Sequence, residues 1–186
     1  MIEETLKKTV IAIVGLLLLM GALGWAFQKE LVAAAEWVAN HLGFPGIALV
    51  ILIGDSFVLP FPPDSMLVVV SRSHMAENWW LYVFGIGAVS AWAGIQGYFI
   101  GRWLEHFPTL HRVFGRFRDE HGPQLRKYGF WWVVLGATTP LPFSVTTWTA
   151  GMLQLPLLHV AAACLFRIPR FFIYYGVIHA GLGLFS

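Results

Sequence analysis

The strongest constraint on the fold is a cluster of prolines inside an apolar run. From Gly46 to Val70 the chain is largely apolar but interrupted at "VLPFPPDSM", where Pro60, Pro62 and Pro63 are followed at once by Asp64. Proline removes a backbone donor and clashes with the preceding turn, so this stretch cannot be the middle of one straight helix. Each flanking half holds about a dozen residues, about 18 Å at helical rise, whereas a hydrocarbon core is about 30 Å thick. Neither half crosses alone. The pattern predicts a re-entrant hairpin whose broken backbone faces protein or water, with Asp64 as the N-cap of the second arm.

Composition sets the solvent for that hairpin. Hydrophobic residues make up 58% of the 186-residue chain and charged ones 12%, with a mean hydropathy of +0.68. These values predict an all-α integral membrane protein. The formal net charge of +2 points to no nucleic-acid partner. The lone cysteine, Cys164, forms no intramolecular disulfide and reads as a small buried hydrophobe. No HExxH or HxxxH pattern is present, so the reading includes no metal and no cofactor.

Along the chain, residues 1–42 hold a first transmembrane helix and a short amphipathic one. The apolar run Val10–Phe27 follows Lys7 and Lys8 like a signal peptide, yet "QKELV" after it lacks a small-x-small cleavage pattern, so the helix is read as retained. In "KELVAAAEWVANHLGF", Leu31, Ala35, Val38 and Leu42 recur at helical spacing, with Trp37 as an interfacial anchor. Residues 43–101 form the hairpin and a full-length span from Trp79, in which "GIQGYFIG" sets Gly97 and Gly101 four apart for close helix packing. Residues 102–128 form a linker with six of the 12 basic side chains and an apolar stripe, suited to lying along a membrane surface. The bias of basic residues places this linker and the N-terminus in the cytoplasm.

Residues 129–186 then repeat the pattern. Pro60, Pro62 and Asp64 are matched 80 positions later by Pro140, Pro142 and Ser144, Ser being another N-cap residue. The same offset carries 79–101 onto 159–181. A hairpin returns to its own side and one helix then crosses, so the second unit starts on the opposite face. The expected architecture is therefore an inverted repeat of hairpin plus spanning helix, with a site where the two breaks meet.

"GDSFVLPFPPDSM", "GIQGYFIGRW", "PLPFSVTTWTAGMLQLP" and "FRIPRFFIYYG" together resemble the DedA, or VTT-domain (SNARE-associated Golgi protein-like), membrane proteins. The resemblance spans roughly Leu42 to Gly181. It implies a bacterial inner-membrane protein that moves lipids, as flippases and scramblases do, with family acids falling on Asp55 and Asp64. One departure stands out. Many bacterial members carry two arginines around the second proline break, where this chain has Ala137 and Phe143, and Arg167 and Arg170 are the cations left in that half.

Asp55, Asp64, Arg167 and Arg170 are also what a physical reading selects. A charge at the bilayer centre costs on the order of 3 kcal/mol, so such residues pair, line a wet cavity or mark a substrate path. Asp64 also reads as a helix cap, and the two arginines as braces on backbone carbonyls. Trp148 and Tyr174 are candidates for lining a lipid path. The expected function is translocation of an anionic-headgroup lipid, a polyprenyl phosphate or a phospholipid, with proton coupling through acids whose affinity is raised by burial. Alternatives are a membrane enzyme acting on lipid and a non-transporting assembly partner, although no protease, phosphatase or phosphoalcohol-transferase signature is present. A homo-oligomer fits any of these readings.

Overall fold

The computed structural model describes residues 28–57, 63–139 and 142–184. The helix expected at Val10–Phe27, and Pro60, Pro62 and Pro140 of the two breaks, lie outside the described residues. Among those described, all regular structure is helical.

Helix α1 is Gln28–Ser56, bent at Gly43 with φ 60° and ψ −145°. Only glycine adopts that backbone readily, and Pro45 follows two residues later. The amphipathic segment and the first hairpin arm are thus one element with a kink. Beyond the break, a 3-10 turn at Pro63–Ser65 leads into α2, Met66–Arg72. A second 3-10 turn at His74–Asn78 is capped by Ser73, whose side chain accepts from the Met75 amide. Helix α3, Trp79–Leu104, follows.

Helix α4, Pro108–Thr138, carries Pro in its first turn, where no backbone donor is needed. It runs through position 128 without a break, so residues 108–128 of the expected linker and the expected first arm of the second repeat are one helix. Helix α5 is Phe143–Met152, α6 is Leu157–Cys164 and α7 is Arg167–Leu184. The step between α6 and α7 has a local cause. Pro169 cannot donate, and its ring excludes an ordinary helical turn against the carbonyl of Leu165.

Neither expected cap forms. The N-cap position of α2 is Ser65, with no side-chain cap bond, and the Asp64 carboxylate turns to a guanidinium, a stronger donor than a lone amide. The N-cap of α5 is Pro142, which leaves Ser144 buried inside the first turn.

Among the described residues, two stretches are long and apolar enough to cross a membrane, Met75–Leu104 and Leu157–Ala180. Large apolar side chains cover their outer faces, among them Leu81, Phe84, Trp92, Phe99, Ile173 and Val177. An exposed apolar surface of this extent suits lipid contact better than water.

Packing between the halves is reciprocal. Helix α3 packs on α1 and more closely still on α5, while α2 lies mainly against α7. Two buried cores result. One joins Ile47, Ile51, Met66, Leu67 and Val70 to Phe171 and Tyr175. The other joins Ala91 and Tyr98 to Val133, Ala137, Phe143 and Ala150. Where α3 crosses α5, a Cβ on Gly101 would meet the carbonyl of Trp148, and one on Gly151 the carbonyl of Tyr98. The close contact expected at Gly97 and Gly101 is present there, and Gly97 faces the Thr147 hydroxyl.

Candidate functional site: a buried double ion pair

The polar centre is assembled from α1, the first break, α3 and the start of α7. Pro169 separates Arg167 from Arg170, and helical spacing sends these residues, three apart, toward one side of α7. Both find carboxylates. Arg167 Nη2 pairs with Asp55 Oδ1, and Arg170 Nη2 pairs with Asp64 Oδ2 at 2.6 Å. The four residues that sequence reasoning selected are therefore brought together as two ion pairs.

The first pair is deeply enclosed, with Arg167 2% and Asp55 4% exposed. Ser90 of α3 completes it. Its hydroxyl donates to Asp55 Oδ2 at 2.5 Å and accepts from Arg167 Nε at 2.6 Å. The guanidinium also lies over two rings, 4.5 Å from the Phe143 centroid and 5.1 Å from that of Phe171. Desolvating two charges is costly, and such a pair persists only with added hydrogen bonds; here no buried side-chain atom of the pair lacks a partner.

The second pair is more open, with 24% of the Asp64 side chain exposed. Arg170 Nη1 donates to the carbonyl of Thr139 at 3.0 Å and, at 3.4 Å, to that of Ala137. This ties α7 to the end of α4 beside the second break. Its guanidinium lies 4.8 Å from the Tyr174 ring centroid. Arg170 Nε and Asp64 Oδ1 are buried without a partner.

Trp148 is half-buried, and its Nε1 donates to the Ser56 carbonyl at 2.9 Å, joining α5 to the end of α1. The Ser56 hydroxyl in turn donates to Gln96 on α3 at 3.2 Å. Pro63 opens the turn that carries Asp64, and Pro142 precedes α5.

Sequence reasoning missed two things. Ser90 is the first; its signal is a hydroxyl three residues after Gly87 and four before Gly94, on the face where α3 is most closely packed. The second is a cluster at the end of α3. Buried Glu105 accepts from Gln154 Nε2 at 2.6 and 2.7 Å and from Arg118 Nη1 at 2.7 Å. Gln154 has a left-handed backbone, φ 55°. Burial alone would raise the Glu105 carboxyl, but bonds from Gln154 and Arg118 and the charges of Arg118 and Arg102 outweigh it and hold it below the ordinary glutamate range.

No protein-family model, curated protein or solved structure matches this chain. The reading of the site rests on its geometry.

Proposed function

We propose that this chain is an integral membrane protein that carries the anionic headgroup of a lipid, a polyprenyl phosphate or a phospholipid, past the Asp55, Asp64, Arg167 and Arg170 centre while the tail stays in the bilayer. The observation that supports it is the gathering of four ionisable side chains, Asp55, Arg167 and Arg170 buried and Asp64 partly so, as two ion pairs inside a largely apolar helical body. Such charges are costly in hydrocarbon and mark substrate paths in membrane proteins. Arginine suits a phosphate because its planar donors match the oxyanion. A headgroup oxygen takes the place of a carboxylate on a guanidinium, and protonation of the displaced acid keeps the centre neutral. That exchange couples headgroup movement to a proton gradient.

The proposed frame is an inverted repeat of two re-entrant hairpins, each followed by a spanning helix. The reciprocal packing of α2 on α7 and of α5 on α3 supports it. Membership of the DedA family is part of the same proposal. The family arginines would fall at Ala137 and Phe143, and a guanidinium lies beside each of those residues: Arg170 Nη1 is 3.4 Å from the Ala137 carbonyl and Arg167 lies over the Phe143 ring. The charge reaches the second break from α7 instead. On this reading the protein resides in a bacterial inner membrane, with residues 102–128 in the cytoplasm.

Purified protein in liposomes, with fluorescent polyprenyl phosphate and phospholipid analogues in parallel, tests the proposal. Headgroup transfer faster than in empty vesicles is expected, and it is lost in Arg170→Ala. Transfer no faster than in protein-free vesicles for every lipid removes it.

A further inference from the structure

The two ion pairs are built differently. In the first, Asp55 uses both oxygens, one on Arg167 and one on the Ser90 hydroxyl. The same hydroxyl accepts from Arg167 Nε, so acid, arginine and serine close a ring. Ser90 is fully buried. The glycines on either side of it on that face of α3 are closely packed. A Cβ on Gly87 would come within 2.9 Å of the Ile168 backbone, and one on Gly94 would run into the Phe143 ring.

In the second pair one bond joins Arg170 to Asp64, and a buried donor and a buried acceptor, Arg170 Nε and Asp64 Oδ1, are left over. Buried polar groups are nearly always bonded, so two orphans beside one ion pair call for a partner. A group that both accepts from the guanidinium and donates to the carboxylate satisfies the two together, which an oxygen bearing a hydrogen does. At Asp55 and Arg167 no buried side-chain atom is left over in this way.

We propose that Ser90 is a positioning residue that seals the Asp55–Arg167 pair, and that the Asp64–Arg170 pair is the place in this centre where an incoming polar group is received. The inference rests on the reading of these residues as the working centre. The first pair then serves as a fixed joint between α1, α3 and α7, and exchange takes place at the second.

A hydrophobic carbodiimide tests this without any transport step, so it can fail separately from the translocation reading. The reagent adds a protonated carboxyl group across its C=N bond and marks acids that are reachable from within the membrane. In the full chain in detergent micelles, peptide mass spectrometry is expected to find the adduct on Asp64 and none above background on Asp55. An adduct on Asp55, or none on Asp64, overturns the proposal. Ser90→Ala is expected to expose Asp55 to the reagent. A monodisperse Ser90→Ala protein with Asp55 still unmodified also overturns it, and the native-chain result decides the matter where that variant fails to fold.

Discussion

Asp55 and Arg167, 112 positions apart in the chain, form an ion pair sealed from solvent by Ser90 and two phenylalanine rings. A buried pair is dangerous to halve, because the surviving partner keeps its desolvation cost without its attraction. Arg167→Met alone is expected to lower stability by about 3–5 kcal/mol. The double variant Asp55→Leu/Arg167→Met is expected to cost less than either single change, since no charge is then left buried. Thermal unfolding in detergent measures both, and additive losses would contradict the pairing.

The crossing of α3 and α5 makes a second prediction. Gly101 and Gly151 face opposing backbone carbonyls that cannot rotate away. Gly101→Ala and Gly151→Ala are each expected to destabilise by about 1–3 kcal/mol. Gly122, with nothing within 4 Å of an added Cβ, is the control. In a helix interior, Gly122→Ala is expected to stabilise by up to about 1 kcal/mol.

Glu105 sets an acid limit on stability. Its folded carboxyl titrates below the ordinary value of 4.5 because Gln154 and Arg118 hold the ionised form against the cost of burial. A depressed carboxyl contributes stability that is complete above the unfolded value and is lost as pH falls through the lower folded value. The midpoint of unfolding should therefore decline below about pH 4.5. Glu105→Gln should be less stable at neutral pH and show a shallower acid decline. Identical profiles for the two proteins would remove Glu105 from that role.

Trp148 makes a narrower prediction. Its indole N–H holds the Ser56 carbonyl at the end of α1, so Trp148→Phe keeps most of the ring and loses one bond. A loss of about 1 kcal/mol is expected. No loss would mean that solvent replaces the indole there.

The four charged residues of the centre were legible in the sequence because charge in an apolar run is conspicuous. Their partners were not. Nothing local to "GDSF" or "FRIPR" says that Asp55 takes Arg167 and Asp64 takes Arg170. The two caps fail for different reasons: at Asp64 a guanidinium from α7 outcompetes the amide, and at Ser144 the helix starts two residues earlier, with Pro142 as its N-cap. Ser90 was missed because one hydroxyl in a helix is ordinary until a carboxylate and a guanidinium meet on it. Glu105 was missed because it reads as part of a charged linker, although it is buried against the turn after α5.

Helical content and span-length apolar segments follow from the sequence alone. Proline, glycine and the length of an apolar run act within a few residues, and their effect does not depend on what lies opposite. Which carboxylate neutralises which guanidinium, and which pair is closed, depends on groups more than a hundred positions apart meeting at a distance of a few ångströms. Only the packing of α7 and α3 against the two breaks decided that.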